Sequence, residues 1–194
     1  MSREVEDIFK EAGAVLEGHF ELTSGLHSPV YWEKFKVLSS PRHTEELCRI
    51  IARHFASQAL DAVAGPTVGG VILAFEVARQ LGTRAVYAEQ AGDGRDFRRG
   101  LTINPGDRVL VVDDVLTTGG SVLEVVRAVE RHGGEVASVA VLVDRSAGGL
   151  AQIDGHAVFS CLTVSAVTYP PDQCPLCAQG IPLTRLGSSQ PPSP

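Results

Sequence analysis

Thirteen residues near the middle of the chain constrain its fold more than any others: Val109-Leu110-Val111-Val112-Asp113-Asp114-Val115-Leu116-Thr117-Thr118-Gly119-Gly120-Ser121. Four apolar residues in a row read as a strand buried on both faces, the habit of a parallel sheet. Two acids end it, a loop of hydroxyls and glycines follows, and a helix is predicted over 122–129, closed by Gly133-Gly134. The same alternation runs on either side. Short strands are predicted at 62–64, 84–88, 136–143 and 157–164, and helices at 5–12, 42–58 and 71–81. Residues 89–100 are polar and glycine-rich and read as a long loop. Strand-helix alternation implies an α/β fold, a parallel twisted sheet with right-handed crossovers flanked by helices. Ligands in such sheets sit beyond the carboxyl ends of the strands, here after Ala64, Ala88, Val112 and Val143.

Composition narrows the function. Hydrophobic residues make up 44% of 194, enough for a packed core. The formal charge of −6 argues against general nucleic-acid binding, so an anionic ligand needs a local cluster of cations or a metal. No stretch has the roughly 20 apolar residues of a membrane helix. The charged start, Met1-Ser2-Arg3-Glu4, does not read as an export signal, so a cytoplasmic protein is expected. Three parts are expected: an N-terminal helix and cap over 1–40, a core over 41–170, and an appendage over 171–194 whose Ser/Pro-rich tail from Gly187 reads as disordered.

The central run combines the parts of a sugar-phosphate site. A helix N-terminus offers free amides and a partial positive charge to a phosphate. Glycines let the backbone approach the anion, and the Thr and Ser hydroxyls add donors. Adjacent carboxylates can accept hydrogen bonds from vicinal ribose hydroxyls. A plain strand-loop-helix turn accounts for the acids or the glycines, but not for both.

The run resembles the phosphoribosyl pyrophosphate motif of type I phosphoribosyltransferases. That resemblance implies the family's sheet with a small N-terminal hood. It implies that Asp113 and Asp114 hold the ribose hydroxyls, within a binding segment Asp113, Asp114, Val115, Leu116, Thr117, Thr118, Gly119, Gly120 and Ser121. The loop after the first core strand, with Pro66, Thr67 and Gly69, corresponds to the family's pyrophosphate loop. Two further segments resemble the orotate branch: Leu22-Thr23-Ser24-Gly25-Leu26-His27-Ser28 of the hood, and Asp144-Arg145 after a strand. They imply orotate contacts from Ser24, Gly25, Thr117 and Arg145, and a guanidinium fork suits a carboxylate. The implied reaction joins orotate to phosphoribosyl pyrophosphate with Mg²⁺, in a homodimer. A purine or uracil phosphoribosyltransferase and a non-catalytic nucleotide sensor of the same fold are the alternatives; synthesis of phosphoribosyl pyrophosphate itself is disfavoured for want of an ATP site.

The chain also departs from the family. Lysines common in the family are replaced by Thr23 in the hood and Gly69 in the pyrophosphate loop. Residues 90–100 carry Arg95, Arg98 and Arg99 and neither Lys nor His. Arg98 and Arg99 are therefore expected to be catalytic, on a loop that closes over pyrophosphate, with Lys34 and Lys36 as further cations. Cys174-Pro175-Leu176-Cys177 is the chain's one C-x-x-C, with Cys48, Cys161 and the six histidines far away in sequence. It reads as a turn with two reduced thiols, or as half of a four-thiolate site between subunits.

Overall fold

The computed structural model of the chain describes residues 2–22, 24–146, 149–164 and 167–186. Thr23 and the tail from Gly187 lie outside the described residues. In chain order the elements are α1 (Ser2–Glu11), β1 (Val15–Glu21), β2 (His27–Trp32), α2 (Lys34–Leu38), α3 (Pro41–Phe55), β3 (Ala62–Pro66), α4 (Gly69–Leu81), β4 (Arg84–Ala91), β5 (Gly94–Phe97), β6 (Arg108–Leu116), α5 (Gly120–Arg131), β7 (Glu135–Asp144), β8 (Gln152–Ile153), β9 (His156–Thr163), a 3₁₀ turn (Pro171–Gln173), α6 (Pro175–Ala178) and β10 (Thr184–Arg185).

A seven-stranded sheet orders as β5-β4-β3-β6-β7-β9-β8. Its β4-β3-β6-β7-β9 centre is parallel, as expected, and an antiparallel strand closes each edge. β6 lies at the middle, flanked by β3 and β7, so Val109 to Val112 are fully buried. One face packs on α1, α3 and α4 through Phe9, Leu47, Ile51, Phe55, Leu73 and Val77. The other packs on α5 through Val122, Val125, Val126 and Val129. Alternate β6 residues serve the two cores: Leu110 and Val112 join the first, Val109 and Val111 the second.

Three expectations change. The run 89–100 is not a long loop: β4 continues to Ala91 and turns at Gly92-Asp93 into β5, pairing Glu89 with Asp96 and Gln90 with Arg95. Those polar residues sit at a sheet edge where side chains stay wetted, so no apolar alternation marks them. The two-residue Gly92-Asp93 link was the available signal. β6 runs four residues past Val112, so the two acids lie inside the strand rather than after it. The hood is itself a sheet of order β10-β1-β2, to which the C-terminal segment contributes a strand parallel to β1. That folding brings Cys174 and Cys177 against His19 and His27, histidines that sequence distance had set aside.

Among the described residues no helix is long and apolar enough to cross a membrane. Leu110 has no exposed surface and packs at the centre of the larger core. Leu110→Ala should cost about 2–5 kcal/mol of folding stability, measured by denaturant unfolding, with the far-UV spectrum of the folded variant unchanged.

Candidate active site

Consecutive residues on a strand face opposite sides of the sheet, so Asp113 and Asp114 serve two different walls of one site. Both are buried. Asp114 faces α2 and the start of α4. Its Oδ1 accepts a hydrogen bond of 2.8 Å from Lys34 Nζ, while its buried Oδ2 has no partner among the described residues. Gly69 explains how the start of α4 comes so near: a Cβ there would stand 1.6 Å from that Oδ2. A side chain at Gly69 would force the Asp114 carboxylate to move, and the ammonium that pairs with Asp114 comes from Lys34 of α2. An unpaired buried carboxylate oxygen is costly in isolation and is an acceptor for a ligand's hydroxyl or a cation.

Asp113 points towards α5. Its Oδ1 accepts the Asp114 amide at 2.8 Å. Burial first, and the negative charge of Asp114 next, push its carboxyl up to about 7, against smaller opposing effects of that amide, Lys34 and Arg95. Beside it the chain forms a cavity of about 60 Å³ lined by Asp113 and Val115 to Val122. Gly119, at φ +81°, makes the left-handed turn into α5, and no side chain caps that helix. Its first amides are therefore open to an anion, with the exposed Thr117, Thr118 and Ser121 around them. Larger cavities lie elsewhere, about 570 Å³ between α1 and α3 and about 410 Å³ beside α3 and α4. Neither joins carboxylates to open helix amides, so chemistry rather than size locates the site.

Arg145 is brought alongside by the β6–β7 pairing, which sets Leu116 opposite Asp144. Its amide donates to Leu116 O at 2.8 Å. Its guanidinium is half-buried, which lowers its pKa, and among the described residues its buried Nε has no partner. Asp144 shapes the turn that holds it: Oδ1 accepts from the Ser146 amide and hydroxyl, and Oδ2 from the Leu150 amide. Tyr31 on β2 stands in the field of both Arg145 and Lys34; burial raises its pKa most, Glu33 adds to that, and the two cations oppose it. Tyr31 was missed from sequence because nothing local marks it; only docking of the hood onto the core brings it here.

The third wall is the 66–69 loop after β3, which includes a cis Thr67–Val68 peptide. Arg95 of β5 donates to Thr67 Oγ1 at 2.8 Å and lies 3.3 Å from Glu124 of α5, joining hairpin, loop and helix. Arg98 and Arg99 are on the exposed rim beyond β5, and Arg99 pairs with Glu89 at 2.8 Å. Ser24 and Gly25 form the exposed tip of the β1–β2 turn, and among the described residues no hydrogen bond links them to the acids or to the α5 loop. Lys36 is exposed.

The chain is similar to known proteins in sequence and fold. Residues 36–173 match the family described as the phosphoribosyl transferase domain. The chain is 48% identical over 187 residues to an orotate phosphoribosyltransferase of Desulforamulus reducens, covering 96% of this chain and 97% of that protein. It is 49% identical over 185 residues to one from Pelotomaculum thermopropionicum, covering 95% and 96%. Among solved structures, orotate phosphoribosyltransferase from Aeropyrum pernix aligns with a TM-score of 0.71 at 29% identity, over 82% of this chain and 93% of that one.

The raised Asp113 carboxyl has a consequence for stability. The folded protein keeps this proton to higher pH than the unfolded chain, so between about pH 4 and 7 the native state binds more protons and this group's contribution falls as pH rises. Asp113→Asn removes the buried charge. Its melting temperature relative to the parent should rise steadily from pH 4.5 to about pH 8 in the ligand-free protein; an offset that stays constant with pH would show that Asp113 does not carry the cost.

Proposed function

The chain belongs to the orotate phosphoribosyltransferases of the phosphoribosyl transferase family, and we propose that Asp113, Asp114, the α5 loop and Arg145 are the parts with which it works. It transfers ribose 5-phosphate from phosphoribosyl pyrophosphate to orotate, giving orotidine 5′-phosphate and pyrophosphate. The observation that carries the assignment of parts is the meeting of two buried carboxylates, one with an unpaired oxygen, and an uncapped helix start at the middle of one sheet.

In this reading the 5-phosphate sits on the α5 amides, with Thr117, Thr118, Gly119, Gly120 and Ser121 around it and Val115 and Leu116 leading the chain in. Asp113 and Asp114 accept the ribose hydroxyls from opposite walls. Pro66, Thr67 and Gly69 border the pyrophosphate. Arg145, with an unpaired buried Nε, receives the carboxylate of orotate, and a half-buried guanidinium is a poor partner for a neutral purine. Thr117 shares that contact from the α5 loop. Ser24 and Gly25, exposed on the hood, reach the base only if the hood closes.

Pyrophosphate leaves the anomeric carbon with the bonding pair, and a nitrogen of the already anionic base attacks that carbon. The ribose gains oxocarbenium character between the two events. The protein's task is therefore to hold the reactants in line and to offset charge on the leaving group. Mg²⁺ suits the hard oxygens of Asp113 and Asp114 when carried in on the diphosphate, where it would offset the departing charge. Arg98 and Arg99 add cationic donors from the hairpin rim. A homodimer is supported by Phe75 and Val68, 64% and 68% exposed at the α4 side of the site. A cytoplasmic setting is supported by four free thiols.

Loss of orotate absorbance with phosphoribosyl pyrophosphate and Mg²⁺ tests the activity directly. Arg145→Ala should raise the KM for orotate at least tenfold, about 1.4 kcal/mol, and that for phosphoribosyl pyrophosphate much less; equal effects would move Arg145 away from the base. A second experiment tests the rim. Subunits carrying Arg98→Ala and Arg99→Ala, mixed with subunits carrying Asp113→Asn and Asp114→Asn, should recover activity if the hairpin serves the neighbouring site. Verified heterodimers that stay inactive would confine Arg98 and Arg99 to their own subunit.

A further inference from the structure

The hood holds a second constellation that the transferase reaction leaves unused. His19 and His27, on paired strands β1 and β2, meet Cys174 and Cys177 of the C-terminal segment, with one ligand atom from each within 4.8 Å of the others. His19, His27 and Cys174 are buried. His19 Nε2 lies 2.9 Å from His27 Nδ1, 3.5 Å from Cys174 Sγ and 3.7 Å from Cys177 Sγ, and Cys177 Sγ lies 3.3 Å from His27 Nδ1. From this convergence we propose that His19, His27, Cys174 and Cys177 form a structural zinc site.

Three of the nitrogen–sulfur distances match a tetrahedral ion, and the whole set lies within 4.8 Å, a small contraction from closure. Zn–N near 2.0–2.1 Å and Zn–S near 2.3 Å set ligand atoms roughly 3.3–3.8 Å apart. Every nitrogen–sulfur separation above falls in or beside that range, and the two nitrogens need part by only a few tenths of an ångström. The imidazole is also poised. His19 Nδ1 is 2.8 Å from Ile181 O, and a carbonyl can only accept, so Nδ1 carries the hydrogen and Nε2 turns its lone pair to the centre. Two imidazoles and two thiolates in this geometry select Zn²⁺ over Mg²⁺ or Ca²⁺, which require oxygen ligands.

The backbone is shaped to present these groups. Pairing of β1 with β2 shifts register between Glu17 and Phe20, and the neighbours His19 and Phe20 are both buried where a regular strand would alternate. That irregularity turns His19 inward. On the other side Cys174 begins the single turn of α6 and Cys177 lies within it, the C-x-x-C arrangement that lets two sulfurs face one point. The ion would join the β1–β2 hairpin to the C-terminal segment about 150 positions away. It would pin α6 and β10 to the hood, beside the His27–Tyr169 bridge and the β10–β1 ladder. β10 pairs with only two residues of β1, too little to hold a terminal strand alone.

The full chain, purified without chelator, should contain about one zinc per chain by elemental mass spectrometry. Exchange into cobalt alone should produce the intense visible bands of a tetrahedral ion and a near-ultraviolet thiolate-to-cobalt band. Removing the metal with a chelator should lower the melting temperature, because metal affinity here is folding energy. Cys174→Ser with Cys177→Ser, or His27→Ala alone, should abolish the cobalt spectrum. Three results would overturn the site: native protein with under about a tenth of an equivalent and no spectrum on cobalt addition, full metal content in a folded variant lacking both thiols, or a Cys174–Cys177 disulfide in freshly purified protein.

Discussion

Two carboxyl groups side by side in the middle of a hydrophobic sheet are the condition to which the rest of this molecule answers. A carboxylate moved out of water loses several kcal/mol of hydration, and two adjacent ones also repel. The chain answers each differently. Asp114 receives an ammonium from Lys34. Asp113, whose one hydrogen-bond donor among the described residues is the next amide, holds its proton towards neutral pH. In both cases acceptor capacity is left over, which a ribose can use when it displaces water from the site.

That condition reaches outward through packing. Asp114 Oδ2 lies 1.6 Å from where a Cβ of residue 69 would be, so glycine lets the start of α4 approach β6 with the carboxylate in this position. Lys34 supplies positive charge from α2, immediately after the hood. The N-terminal part is thus coupled to the core by the Lys34–Asp114 ion pair from α2 and by the proximity of Tyr31 of the hood to Arg145. Anything that holds the hood, including a metal at its far edge, also holds two groups that border the site.

Much of the fold could be read from residues alone. Four apolar residues before two acids specify a doubly covered strand, because only a parallel centre buries both faces. The α5 loop was legible for the same kind of reason: glycine before a helix and a missing cap leave amides free regardless of context. The hairpin of Glu89 to Phe97 was not legible, since before Phe97 it is mostly polar, lies on an edge and carries no apolar rhythm. Nor were the hood strands or β10, whose pairing partners lie up to about 160 positions away.

By itself, then, the sequence determined the α/β order, the buried central strand, the uncapped glycine loop before α5 and the branch of the family, because each is carried by short local segments. Tertiary structure decided which charges meet. Lys34 and Asp114 are 80 positions apart and touch at 2.8 Å. Gly69 is set by a carboxylate on another strand. His19 and Cys174 are 155 positions apart and lie 3.5 Å from each other. No local pattern encodes such contacts, because the free energy that makes them comes from burying the sheet and docking the hood, and the polar groups meet where that packing carries them.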